Sequence, residues 1–203
     1  MGFYPIFLNL SGRPCVVIGG GGIAERKVEG LRAADAAVTV VAPDLTRRLT
    51  ALATAGEIRH VARGFRPGDL DGADLAMVAV SDSCLSAVVA AEARRHKIWL
   101  NAADDPVRCD FILPAVLQRG PLAIAVATGG TSPALSRAVR DWLETELPAE
   151  LSALAAAAAA VRRDLRAAGR SPSAAAWCAA LESEIRVRLT RAFERAVDDG
   201  GLP

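Results

Sequence analysis

The sequence predicts an α/β fold: a Rossmann-type parallel sheet followed by a connecting segment and a C-terminal α-helical part. Three observations predict it. Over the first two thirds of the 203-residue chain, short apolar runs alternate with helical segments, the pattern of strands joined by helical crossovers. Most of those runs are Val-, Ile-, Leu- and Ala-rich without polar alternation, as strands covered on both faces are. The first run leads through four consecutive glycines into a helix.

The strand-like runs are Pro14–Ile18, Val38–Ala42, Ile58–Ala62, Leu75–Val80, Ile98–Asn101 and Leu122–Ala127. Helical segments fall at about Ile23–Ala34, Leu45–Ala55 and Cys84–His96, between strands. After Ala127 the character changes. Thr128-Gly129-Gly130-Thr131-Ser132-Pro133 reads as a loop and a helix start, with Ser132 as cap and Pro133 at the first helical position. That helix runs to about Leu147 and stops near Pro148. From Ala149 to Val197 the chain is rich in Ala, Leu and Arg and reads as helices, broken between Gly169 and Ser173, where Ser171 caps and Pro172 follows. The six alanines 155–160 read as a closely packed helix, since Ala is the best helix former. Boundaries near Arg119 and Pro148 divide the chain into residues 1–118, a nucleotide-binding domain; 119–148, a connecting segment; and 149–203, a helical domain.

Bulk properties narrow the function. With 24 basic and 23 acidic residues the net charge is +1, so a dedicated nucleic-acid binder is not expected. No apolar run reaches the ~20 residues that cross a bilayer, and Met1–Leu10 lacks the basic start and cleavage site of a signal peptide. A cytoplasmic protein is expected. Cys15, Cys84, Cys109 and Cys178 are far apart and read as reduced thiols. His60 and His96, the only histidines, have no ligand spacing, so no fixed metal site is expected.

The glycine turn carries the first chemistry. Val16-Val17-Ile18 is followed by Gly19-Gly20-Gly21-Gly22-Ile23-Ala24, a fit to G-x-G-x-x-A. Gly19 permits the tight turn, Gly21 lets a pyrophosphate approach the backbone, and Ala24 lets the helix lie close to the strand. The helix N-terminus offers N–H donors and a positive dipole end. One element is missing. The second strand ends in Val41-Ala42-Pro43 with no acid at its tip, and the first carboxylate is Asp44. Asp44 has two readings, a ribose partner or the cap of the helix that starts at Leu45. Arg47 and Arg48 stand either toward a 2′-phosphate or on a solvated face, which leaves NAD and NADP both open. Ser81 and Asp82 follow the fourth strand, where the backbone meets the cofactor.

Beyond the turn, the chain resembles the precorrin-2 dehydrogenase/sirohydrochlorin ferrochelatase family, the dehydrogenase module of siroheme synthase. The resemblance is carried by Tyr4-Pro5-Ile6-Phe7-Leu8, the glycine turn with Glu25-Arg26-Lys27, Asn101-Ala102-Ala103-Asp104, Asp110-Phe111-Ile112-Leu113-Pro114-Ala115 and Thr128 to Leu135, in order over about residues 3–147. It implies oxidation of precorrin-2 to sirohydrochlorin with NAD as acceptor, in siroheme or cobalamin biosynthesis. Some members also insert ferrous iron, a lyase activity in which iron or cobalt passes through transiently. It further implies a homodimer, with the segment after the nucleotide domain forming the interface and closing the active site. A stand-alone form, without the methyltransferase domain of the full synthase, is expected from the end at Pro203.

The resemblance gives Asp104 the place of the family's catalytic aspartate. It follows a strand at the carboxyl end, where open α/β sheets bind ligands, and a shielded carboxylate can act as general base. Asp105, before Pro106, reads as a turn residue. Asn101 has two readings, a nicotinamide or Asp104 partner or a strand-end cap. The substrate is rich in carboxylates, and Thr128, Gly129, Gly130, Thr131, Ser132, Arg137, Arg140 and Arg119 are candidate donors; each arginine can equally be a solvated surface group. Two other classes compete. A non-catalytic NAD-sensing module needs neither the Asn101–Asp104 segment nor the glycine–threonine–serine loop. An NADP-linked dehydrogenase of another acidic substrate is kept open by the missing strand-tip acid.

Overall fold

A computed structural model describes residues 2–103, 105–148 and 150–169. Asp104 and the helix break with Ser171 and Pro172 lie outside the described residues, as does Cys178. The chain separates into two compact units, at residues 112 and 113.

The first unit is the expected parallel α/β sheet. Its five strands are β1 (Pro14–Ile18), β2 (Ala37–Val41), β3 (Arg59–Val61), β4 (Leu75–Val78) and β5 (Trp99–Ala102), in the order β3-β2-β1-β4-β5. Every pairing is parallel. Successive side chains of a strand point to opposite faces. In β1, Cys15 and Val17 therefore enter one core and Val16 and Ile18 the other, and β4 divides likewise into Leu75 and Met77 against Ala76 and Val78. Both faces are covered, which is why these strands read as unbroken apolar runs.

The crossover helices are α1 (Gly22–Ala33), α2 (Arg47–Thr54) and α3 (Ser83–His96). The buried residues of α1 are Ala24, Lys27, Val28 and Leu31, one stripe at helical spacing with a lysine in it. The return from β3 to β4 carries no helix. It is held by the paired hydrogen bonds of Arg63 to Asp69 at 2.7 and 2.6 Å, by the buried Leu70, and by the buried Glu92 of α3. Glu92 Oε1 accepts from the Gly68 and Leu70 amides at 3.0 and 3.2 Å. The sequence runs off β1 to β2 and β3 and then returns to β4, so the order reverses between β1 and β4. Open α/β sheets bind ligands at the carboxyl ends of the strands beside such a reversal.

The second unit holds an antiparallel hairpin, β6 (Ala115–Arg119) and β7 (Leu122–Val126), then α4 (Pro133–Glu146) and α5 (Glu150–Ala167). The sequence reading missed β6. Its side chains are mostly half-exposed, with Leu117 alone buried, so it lacks the continuous apolar run that marked the other strands. Gly120 at φ +55° with Pro121 makes the two-residue turn, glycine supplying the positive φ that such turns need first. Ser132 caps α4 and Pro133 opens it, as expected.

Candidate functional site

Gly19 and Gly20 fix the turn at the reversal point. Gly19 has φ +118°, and a Cβ there would lie 2.6 Å from the Ala79 carbonyl oxygen, just past β4. Its amide donates to Val41 O at 3.0 Å. A Cβ on Gly20 would lie 1.9 Å from the Asp44 carbonyl oxygen. Gly19 thus closes the turn against β4, and Gly20 against the β2–α2 connection.

Gly21 and Gly22 face open space instead. A Cβ at either meets nothing within 4 Å, both are exposed, and no side chain caps α1, whose N-cap is Gly21. Ile23 is exposed on the first turn and Ala24 is fully buried beneath it. An uncapped helix start beside an open glycine is an anion cradle. The donors present fit the pyrophosphate of a dinucleotide.

The β2–α2 connection is tied to the cradle. Thr46 N donates to Gly20 O at 2.9 Å, and Thr46 Oγ1 donates to Glu25 Oε2 at 2.6 Å while accepting from Leu49 N at 3.2 Å. Thr46, not Asp44, therefore caps α2, which begins at Arg47 rather than Leu45. The capping reading of Asp44 is corrected: Thr46 is spaced to reach the third amide into the helix, and Asp44 falls two residues too early. Pro43 and Asp44 stand exposed just past the end of β2. Arg47 and Arg48 are exposed, and Arg48 pairs with Glu29 at 2.7 Å. Ser81 is exposed before α3, whose cap is Asp82, accepting from the Cys84 and Leu85 amides.

At the end of β5 the structure shows a network that the sequence reading did not anticipate. Asn101 is buried, its Oδ1 accepts from Lys27 Nζ at 2.5 Å, and its Nδ2 donates to Phe111 O at 3.0 Å. Asn101 is thus a buried bridge rather than a strand-end cap. The two legs of the following excursion are stitched together. Leu100 N donates to Asp110 Oδ2 at 2.9 Å, Asp110 N donates to Leu100 O at 2.8 Å, and Ala102 N donates to Cys109 Sγ at 3.2 Å. Burial pushes the Cys109 thiol up, partly offset by the Ala102 amide and the Lys27 charge. Asp105 precedes a single 3-10 turn, Pro106–Arg108, without a side-chain cap bond, and its carboxylate pairs with Arg108 instead. In sequence, this stitched excursion carries Asp104. A lysine inside the apolar stripe of α1 was the signal that would have exposed the network.

In the second unit, the Thr128–Ser132 loop is shaped by its own hydroxyls. Thr128 Oγ1 donates to Ser132 O and accepts from Ser132 N, both at 3.0 Å, and Thr131 Oγ1 donates to Thr128 O at 2.6 Å. Gly129 and Gly130, at φ +62° and +84°, make the bend. Arg137 is exposed one turn into α4. Arg119 is not brought to this loop. It ends β6 at the hairpin turn, whereas Thr128 follows the opposite end of β7, and its guanidinium donates to Glu144 O at 2.7 Å in the last turn of α4. A 14-residue helix is about 20 Å long, so the two lie far apart. Arg140 pairs with Asp141 and Glu144. Among the described residues no group of three or more His, Cys, Asp or Glu is placed to hold a metal, and no helix is long and apolar enough to cross a membrane.

A glycine cradle at the reversal point of a parallel sheet defines a dinucleotide-binding α/β protein. Comparison with known proteins agrees. Residues 6–115 match an NAD(P)-binding family and residues 119–146 match the central region of sirohaem biosynthesis proteins. The siroheme synthase of Methylobacillus flagellatus is 45% identical over 162 residues, 80% of this chain and 35% of that protein. That of Methylococcus capsulatus is 42% identical over 174 residues, 86% of this chain and 37% of its own length. The chain thus spans about a third of the length of these relatives. The solved structure of SirC, precorrin-2 dehydrogenase, shares the fold with a TM-score of 0.73 at 24% identity, over 97% of this chain and 100% of that one. This chain belongs to that NAD(P)-binding family, and its relatives among known proteins are siroheme synthases.

Proposed function

We propose that this protein oxidises precorrin-2 to sirohydrochlorin with NAD as the acceptor. The observation that carries this reading is the open cradle at Gly21 and Gly22, on the same sheet edge as the stitched excursion that includes Asp104. The backbone of residues 21–24, where α1 starts, takes the pyrophosphate, and Gly19 and Gly20 hold the turn that presents it. Pro43 and Asp44 border the ribose, and the backbone at Ser81 borders the remainder. Asp44 favours NAD over NADP, because a carboxylate beside the ribose repels a 2′-phosphate. Asn101 holds the base of the excursion rather than touching the nicotinamide.

When bound, NAD supplies a two-electron hydride acceptor. Loss of a hydride from the macrocycle must be matched by loss of a proton, and Asp104 takes that proton as general base. The bend at Gly129 and Gly130, with Thr131, Ser132 and the exposed Arg137, takes substrate carboxylates; Thr128 acts by shaping the bend. Arg119, committed to the end of α4, is left out of that set. The active form is a homodimer built through the second unit.

Anaerobic incubation with precorrin-2 and either dinucleotide tests the reading. Sirohydrochlorin absorption should appear with NAD, and absence of turnover with both cofactors would sink it. Asp104→Ala should bind NAD normally and lose oxidation; full activity would remove Asp104 from the mechanism. Adding ferrous or cobaltous ion to sirohydrochlorin reports whether the same chain also inserts metal.

A further inference from the structure

We infer that Lys27 is a positioning residue, whose ammonium fixes the base of the excursion carrying Asp104 to the helix that opens at the glycine cradle. The inference deepens the proposed dehydrogenase reading and, for its catalytic consequence, rests on it.

Lys27 lies on the buried stripe of α1, between Ala24 and Val28, and is only 9% exposed. A buried ammonium is unfavourable unless its donors are used, and evolution of a helix for packing alone would place an apolar side chain there. One partner of the ammonium is Asn101 Oδ1 at 2.5 Å. Asn101 is itself held by Phe111 O, on the returning leg of the excursion. The chain of contacts therefore runs from the cradle helix, through Lys27 and Asn101, to both legs of a loop. The remaining stitches, Leu100 with Asp110 and Ala102 with Cys109, lie within the loop base and make no link to α1. Lys27 thus supplies a tie from α1 to this base. Loss of the amine should loosen the excursion while leaving the packing of α1 intact, because a methionine of similar length fills the same stripe.

The test is amide hydrogen exchange on the wild-type protein and Lys27→Met without dinucleotide, followed by steady-state kinetics with NAD and precorrin-2. Lys27→Met should raise exchange over residues 100–111 by roughly tenfold or more, about 1.4 kcal/mol of local opening, with α1 and β1 as protected as before. It should lower kcat by a similar factor, with the KM for NAD changed by less than about threefold. Asn101→Leu should do the same, and the double variant should be no worse than the poorer single one, as for residues acting in one chain. Unchanged exchange over 100–111 overturns the inference. So does exchange raised equally across α1 and β1, which would make Lys27 a general stabiliser. If the wild-type protein oxidises no tetrapyrrole but Lys27→Met still loosens only residues 100–111, the tie stands and the proposed reaction falls.

Discussion

A methyl group on Gly20 would lie 1.9 Å from the Asp44 carbonyl oxygen, whereas one on Gly21 meets nothing within 4 Å. Two adjacent glycines therefore separate packing from ligand access. Gly20→Ala must push the turn away from the β2–α2 connection, and overpacking of this kind costs about 1–3 kcal/mol. A lower urea midpoint is expected together with weaker NAD binding. Gly21→Ala should leave the unliganded protein within about 0.5 kcal/mol of wild type and still weaken NAD roughly tenfold, about 1.4 kcal/mol. Urea unfolding beside titration calorimetry separates the two, and equal destabilisation by both substitutions would refute the division. The thiols separate on the same physical grounds. Burial, reinforced by Asp74 and offset by Arg13, pushes the Cys15 thiol up to about 11. A thiol raised in the folded state is stabilising while protonated, so its contribution falls as pH rises from about 9 toward about 11. Cys84 is exposed. Near neutral pH, iodoacetamide should modify Cys84 quickly and Cys15 only at the rate of unfolding; mass spectrometry of digests reads the order.

At the scale of elements, Thr46 links three pieces, since it caps α2, donates to Glu25 of α1 and donates its amide to Gly20. Thr46→Ala should cost about 1–2 kcal/mol, a lost cap with a lost charge-assisted hydrogen bond. Thr46→Ser should recover most of it, as thermal unfolding would report; equal losses in both variants would deny the hydroxyl this role. The sequence leaves Asp44 with two readings, ribose partner or cap, and the capping one assumes a helix starting at Leu45, whereas α2 starts at Arg47. Other elements were plain before any coordinates. The central strands announced themselves because both faces are buried, and α4 because Ser132 and Pro133 occupy adjoining cap and first positions. The β6 strand was hidden for the converse reason, its side chains being half-exposed in a two-stranded hairpin. The cradle was legible because glycine spacing states a backbone requirement directly. The Lys27–Asn101 bridge was not, because it joins residues 74 apart, and only the fold brings α1 to the end of β5.

For the whole molecule, the exposed apolar side chains of the second unit bear on assembly. Leu135 and Trp142 are 54% and 59% exposed and lie seven residues apart on α4, hence on one face of the helix. Val116 of β6 is also exposed. An aromatic and a leucine left in water on one helix face are what an obligate interface covers, and a stable one buries about 800 Å² per partner. The glycine cradle belongs to the other compact unit, so dinucleotide binding and dimerisation should be separable by a single substitution. If the proposed homodimer forms through this face, Trp142→Asp should shift it to monomer in sedimentation equilibrium, because a carboxylate buried in an apolar contact without a partner is strongly unfavourable. The same variant should bind NAD within about twofold of wild type, a change under about 0.4 kcal/mol, while losing most of its tetrapyrrole oxidation. If Trp142→Asp remained a dimer with full activity, α4 would not be the interface. If it became a monomer that still oxidised precorrin-2 at the wild-type rate, each chain would hold a complete site, and the partner would contribute stability alone.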